Sequence, residues 1–127
     1  MKVDELMLGN WVRIEGKPFQ ITRINNKSIP SEVGTYPYEE EDIYPIELTY
    51  DILKKNGFEI QCGWGLTKRA YNSEHKISIM KSLLDYTIYL NEPADEQIGV
   101  IPCFSCSYVH ELQNFLKIKK IDFKIVL

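Results

Sequence analysis

The sequence predicts an α+β fold for residues 1–127: a single domain whose antiparallel sheet opens with a barrel-like N-terminal hairpin, continues as a meander and carries two short helices. Three observations predict it. Short runs of apolar and polar residues alternate along the chain, turn residues rather than crossover helices separate them, and only two stretches show helical spacing or helical punctuation. A chain of 127 residues buries roughly two-thirds of the surface its unfolded form exposes, so a core forms without disulfides or metals.

The first pair of strands is Trp11-Val12-Arg13-Ile14 and 19–24, joined across Glu15-Gly16-Lys17-Pro18. Val12 and Ile14 share one face, as do Phe19 and Ile21, because side chains alternate along a strand. A lone hairpin is marginal in water, so later segments must cover it. Residues 25–45 change character: Pro30, Gly34, Pro37 and Pro45 interrupt any period, the acidic run Glu39-Glu40-Glu41-Asp42 follows, and Tyr36, Tyr38 and Tyr44 flank it. The reading is a long loop, of a length that is uncommon in compact domains unless the loop is functional or mobile.

A two-turn helix follows. Thr49 is placed to cap it, Asp51 lies in its first turn, Lys54 and Lys55 lie in its last, and Asn56-Gly57 supplies a left-handed stop with Phe58 closing onto Leu53. Strands are then expected at 58–62, 76–80, 86–90 and 98–104, with turns at Gly63-Trp64-Gly65, Tyr71-Asn72-Ser73, Asn91-Glu92-Pro93 and Gly99. A second helix spans 107–118, where Val109, Leu112, Phe115 and Leu116 form an apolar stripe and His110, Gln113, Asn114 and Lys117 a polar one. Residues 121–127 alternate like a last strand.

The formal net charge is -3, divided into -4 over residues 1–66 and +1 over 67–127. No positive field covers the chain, which argues against nucleic-acid binding, and the lysines Lys117, Lys119, Lys120 and Lys124 read as a solvated face. No run of about 18 apolar residues occurs, so no membrane-spanning helix is expected. The start Met1-Lys2-Val3-Asp4-Glu5 lacks the cationic opening of a secretory signal, and Cys62, Cys103 and Cys106 make an odd set, so the expectation is a reduced, cytoplasmic protein.

The segments Leu8-Gly9-Asn10-Trp11-Val12, Asn56-Gly57-Phe58-Glu59 and Tyr108-Val109-His110-Glu111-Leu112-Gln113-Asn114 together resemble a family of short uncharacterised proteins from Bacteroidetes bacteria and their phages. The resemblance implies a cytoplasmic bacterial or phage setting and transfers no activity, cofactor or site residue.

Candidate chemistry is sparse. Cys103-x-x-Cys106 with His110 could supply three ligands of a zinc site, or a thiol nucleophile with an imidazole base, and a small zinc- or thiol-dependent enzyme is the alternative reading on that ground. An extended strand, however, sends Cys103 and Cys106 to opposite faces, and Asn114 stands where a zinc-protease helix would place its second histidine. Gly63-Trp64-Gly65 lacks the further glycine and the lysine of a phosphate loop. The preferred reading is a non-enzymatic interaction or structural module without cofactor. Its partner is an unidentified protein, and its binding residues are Tyr36, Tyr38, Tyr44, His110, Gln113 and Asn114, tyrosine giving large contact area at low entropic cost.

Overall fold

The computed structural model describes residues 1–25, 28–31, 36–62, 68–90 and 104–127. The chain is α+β with antiparallel sheets, as the alternation requires, and none of the sheets closes into a barrel among the described residues. Its residues group into two compact units: Met1–Glu47 with Tyr108–Asn114, and Leu48–Ser107 with Phe115–Leu127. No helix among the described residues is long and apolar enough to cross a membrane.

In the first unit, β1 (Trp11–Ile14) and β2 (Lys17–Gln20) pair with Val12 opposite Phe19. Glu15 and Gly16 both take positive φ, 54° and 76°, as a two-residue hairpin loop of matching twist needs. The turn is therefore tighter than the four residues expected, and Lys17 and Pro18 join the strand. Pro18 is tolerated because β2 lies at the sheet edge, in the order β2-β1-β5. The third strand, β5 (Ile43–Tyr44), comes from the segment read as a loop. That segment also contributes β3 (Ser28–Ile29), paired with β4 (Tyr38–Glu39), and a 3-10 turn at Glu40–Asp42. These strands are two residues long, too short for a readable period. What fixes them is burial: Ile29 and Ile43 enter the core with Val3, Leu6, Val12, Ile14 and Ile21.

The second unit begins with α1 (Tyr50–Lys55). Thr49 Oγ1 accepts from Ile52 N at 3.2 Å, Gly57 turns left-handed at φ 89°, and the N–H groups of Phe58 and Gly57 donate to the carbonyls of Leu53 (3.0 Å) and Lys54 (3.2 Å). Both ends of this short helix are closed by the residues the sequence marks for the purpose.

A meander follows: β6 (Glu59–Cys62), β7 (Lys68–Asn72), β8 (Ile77–Lys81), β9 (Tyr86–Leu90) and β10 (Phe104–Cys106), each hydrogen-bonded to its sequence neighbour. The register places Ile60, Ala70, Ile79, Ile88 and Phe104 in one row across all five strands, with Ala70, Ile79 and Ile88 fully buried. Strand β7 was not expected, since Tyr71-Asn72-Ser73 reads as a turn. Asn72 instead ends the strand, and its Oδ1 accepts from His75 N at 2.9 Å to hold the following turn. Arg69 hid the strand by its charge; it is buried, and its Nη2 donates to Gln61 Oε1 at 2.9 Å. The turns expected at Gly63-Trp64-Gly65, Asn91-Glu92-Pro93 and Gly99, and the strand residues 98–103, lie outside the described residues.

Helix α2 (Val109–Ile118) buries its expected apolar stripe, Val109, Leu112, Phe115 and Leu116. Its end is a left-handed turn at Lys120 (φ 58°), with Ile121 N donating to Leu116 O and Lys120 N to Lys117 O. The expected strand at 121–127 is not formed. The tail alternates in burial, with Ile125 inside, and Val126 is held by a side chain: Asn56 Nδ2 donates to Val126 O at 2.9 Å and Val126 N to Asn56 Oδ1 at 2.7 Å.

Candidate functional site

Of the polar stripe of α2, Gln113 and Asn114 bond within the first unit. Strand β1 is preceded by the turn Gly9-Asn10, where Gly9 takes φ 91°. Main-chain bonds serve Gly9 N–H and Asn10 O through Ile21, and Asn10 N–H through Met7 O, whereas Gly9 O and Trp11 N–H bond to side chains; a buried backbone group without a partner is costly. Side chains of α2 serve instead. Gln113 accepts from Trp11 N–H at 2.8 Å through Oε1 and donates to Gly9 O at 3.0 Å through Nε2. One turn-facing position further on, Asn114 accepts from Asn10 Nδ2 at 2.8 Å and donates to Glu5 O at 3.0 Å. Asn10, itself buried, completes the chain by accepting from Met7 N–H at 2.8 Å. Each of the three amides thus uses both its oxygen and its nitrogen within the unit.

His110 is 2% exposed. Its ring stacks on Tyr108 at 5.9 Å, and its Nε2 lies 3.9 Å from the Glu5 carboxylate, beyond hydrogen-bonding distance. Nδ1 has no hydrogen-bond partner among the described residues. Burial lowers the imidazole pKa below its ordinary 6.5, while the carboxylates of Glu111 and Glu5 pull it up. The ring is enclosed, and burial favours its neutral form.

Of the metal set, Cys103 lies outside the described residues, and Cys106 is buried at the end of β10. Among the described residues no group of three His, Cys, Asp or Glu side chains is arranged to hold a metal ion.

The tyrosines divide. Tyr38 is half-buried and meets Phe19 edge-on at 5.8 Å, a core contact. Tyr36 and Tyr44 stand out at 82% and 59% exposure. Between them the acidic run is a folded turn: Glu39 N–H donates to Asp42 Oδ2 at 3.0 Å, and Glu40 Oε2 accepts from Val3 N–H at 2.8 Å.

Two groups of residues escaped the sequence reading. Asn10 registers there only as half of a turn signal, although a buried turn asparagine has three bonds to offer beyond its own backbone. Leu83 and Leu84 fall in a hairpin turn where polar residues are the rule. No family model, curated protein or solved structure matches this chain, so its site is defined by geometry.

Proposed function

We propose that this chain is a small non-enzymatic protein-interaction or structural module, working in the cytoplasm of a bacterium or its phage, with Tyr36 and Tyr44 as its partner-facing residues. The observation that carries the reading is the exposure of these two rings on either side of an acidic turn that is held to the rest of its unit by hydrogen bonds. Rigid aromatic anchors lose little entropy on binding, and the neighbouring carboxylates favour a basic partner segment. The setting rests on the three resembling segments.

Gln113 and Asn114 then take a supporting role, holding the turn that leads into β1 and through β1 the edge strand bearing Tyr44, while His110 packs against Tyr108. The test replaces Tyr44 with the photo-crosslinker p-benzoylphenylalanine in the full chain. Irradiation in a native lysate should yield one dominant crosslinked protein, and a Tyr36→Ser variant should reduce its yield. Absence of any specific crosslinked protein removes the reading.

A further inference from the structure

Leu83 and Leu84 are 98% and 91% exposed, at the tip of the hairpin joining β8 to β9. Exposed leucines are common singly, but two adjacent ones in full solvent at a tight turn oppose both the turn preference for polar residues and the tendency of apolar surface to leave water. The turn is also clasped. Ser82 N–H donates to Asp85 O at 2.7 Å, and Ser82 Oγ donates to the Asp85 carboxylate at 2.5 Å. The leucines are therefore held outward by a closed base. Beside that base stand two lysines. The Tyr50 hydroxyl accepts from Lys81 N–H at 2.9 Å and donates to Lys68 O at 2.9 Å, which brings the ends of β7 and β8 to one ring. Lys68 Nζ sits over the Tyr50 ring at 5.1 Å and Lys81 Nζ over Tyr86 at 5.9 Å.

We propose that this tip is a docking peg: Leu83 and Leu84 enter an apolar pocket on a partner protein whose rim carries carboxylates that meet Lys68 and Lys81. The peg is a second contact point and rests on the interaction-module reading above. Charge complementarity selects the acidic rim. Two other occupants fail, one on magnitude and one on charge. The pair of leucines offers about eight side-chain carbons, fewer than a myristoyl chain, whose anchoring to a bilayer is marginal and reversible when it acts alone. A second copy of the chain meeting tip to tip would oppose lysine to lysine. A pre-ordered pair inserted as the anchor of a larger protein contact meets neither objection.

The test places p-benzoylphenylalanine at position 83 of the full chain, with the position-44 protein as its companion. Irradiation in a native lysate and mass spectrometry should identify a protein crosslinked through apolar residues bordered by Asp or Glu. That protein, once purified, should bind the unmodified chain, about 100-fold more weakly after Leu83→Ser with Leu84→Ser and about tenfold more weakly after Lys68→Glu with Lys81→Glu. Thermal melts should not change for the leucine variants, since both side chains stand in solvent. The proposal falls if position 83 crosslinks chiefly to another copy of the chain, if mixed phosphatidylserine–phosphatidylcholine vesicles capture the protein through the leucines, or if affinity ignores the leucine substitutions. It also falls if position 83 captures nothing while position 44 still captures a protein, an outcome that leaves the module reading standing. Capture at neither position removes both.

Discussion

Both units bury an apolar core, and they differ in how their polar groups are met. In the second, apolar residues line up across consecutive strands, Ile60 to Phe104 in one row, and ladders pair the backbone N–H and C=O groups between neighbouring strands. In the first, the sheet has three short strands, and the turn before β1 is fastened by amide side chains from a helix about a hundred positions away, Gln113 and Asn114. Burial of apolar surface is non-directional, so the meander tolerates variation in shape more than loss of volume. Amide hydrogen bonds are directional, so the turn depends on particular atoms. Placement then separates the candidates: Gln113 and Asn114 bond to the turn before β1, while Tyr36, Tyr44, Leu83 and Leu84 are among the exposed large side chains.

The contrast can be broken most forcefully in the meander. Ile79→Ala, at the centre of the buried row, should cost about 2–5 kcal/mol in chemical denaturation, the range for truncating a fully buried aliphatic side chain. A cost under about 1 kcal/mol would mean that the row is not the core. Gln113→Ala tests the other unit. It removes the acceptor of Trp11 N–H and a donor to Gly9 O, for an expected loss of about 2 kcal/mol. Gln113→Glu should be no substitute, since a carboxylate retains the acceptor and forfeits the donor.

The helix ends permit a finer comparison, because both are the same left-handed motif built on different residues. Gly57→Ala should destabilise by about 1–2 kcal/mol through backbone conformation alone, the new methyl lying 4.0 Å from Asn72 Nδ2 and so meeting no obstacle. Lys120→Gly should do the opposite and stabilise by about 0.5–1 kcal/mol, since a side chain now sits where glycine fits without strain. Thermal or denaturant melts of the pair should show opposite signs, and equal signs would refute the cap geometry at one of the two ends.

The smallest expected effect is a pH slope from His110. Burial holds its folded-state pKa below the ordinary 6.5. Above that value the ring is neutral in both states and contributes no slope; as the pH falls below it, the unfolded chain takes up the proton first, and stability is lost down to the lower folded-state pKa. Replacing His110 with Phe should flatten this part of the stability profile measured by denaturation across the acid limb. A profile identical to the native one would mean that the ring titrates freely.

Much of the local structure was legible. The cap at Thr49 and the stop at Gly57 depend on residues adjacent in sequence, and the strands Trp11–Ile14 and Tyr86–Leu90 show their periods within a few positions. Strand β7 was not, because its buried guanidinium at Arg69 is hydrogen-bonded by Gln61, a partner only the sheet supplies. The short strands β3, β4 and β5 carry two residues each, below the length at which alternation is a signal. The tail at 121–127 alternates without joining a sheet, since alternation marks a chain with two faces and says nothing about which neighbour will pair with it.

The candidate site divides along the same line. Amino-acid order set out the polar stripe of α2, the exposed-tyrosine segment and the three cysteines, because residue type and spacing are local properties. Whether His110, Gln113 and Asn114 face a ligand or a backbone turn depended on Asn10, Gly9 and Glu5, which lie about a hundred residues away, and folding joined them. The same holds for the leucine tip: a Leu-Leu pair reads as core in any window, and only the clasp between Ser82 and Asp85, turning the chain back on itself, puts both side chains in water. Hydrogen-bond partners and solvent exposure are pairwise and collective quantities, fixed when distant segments meet.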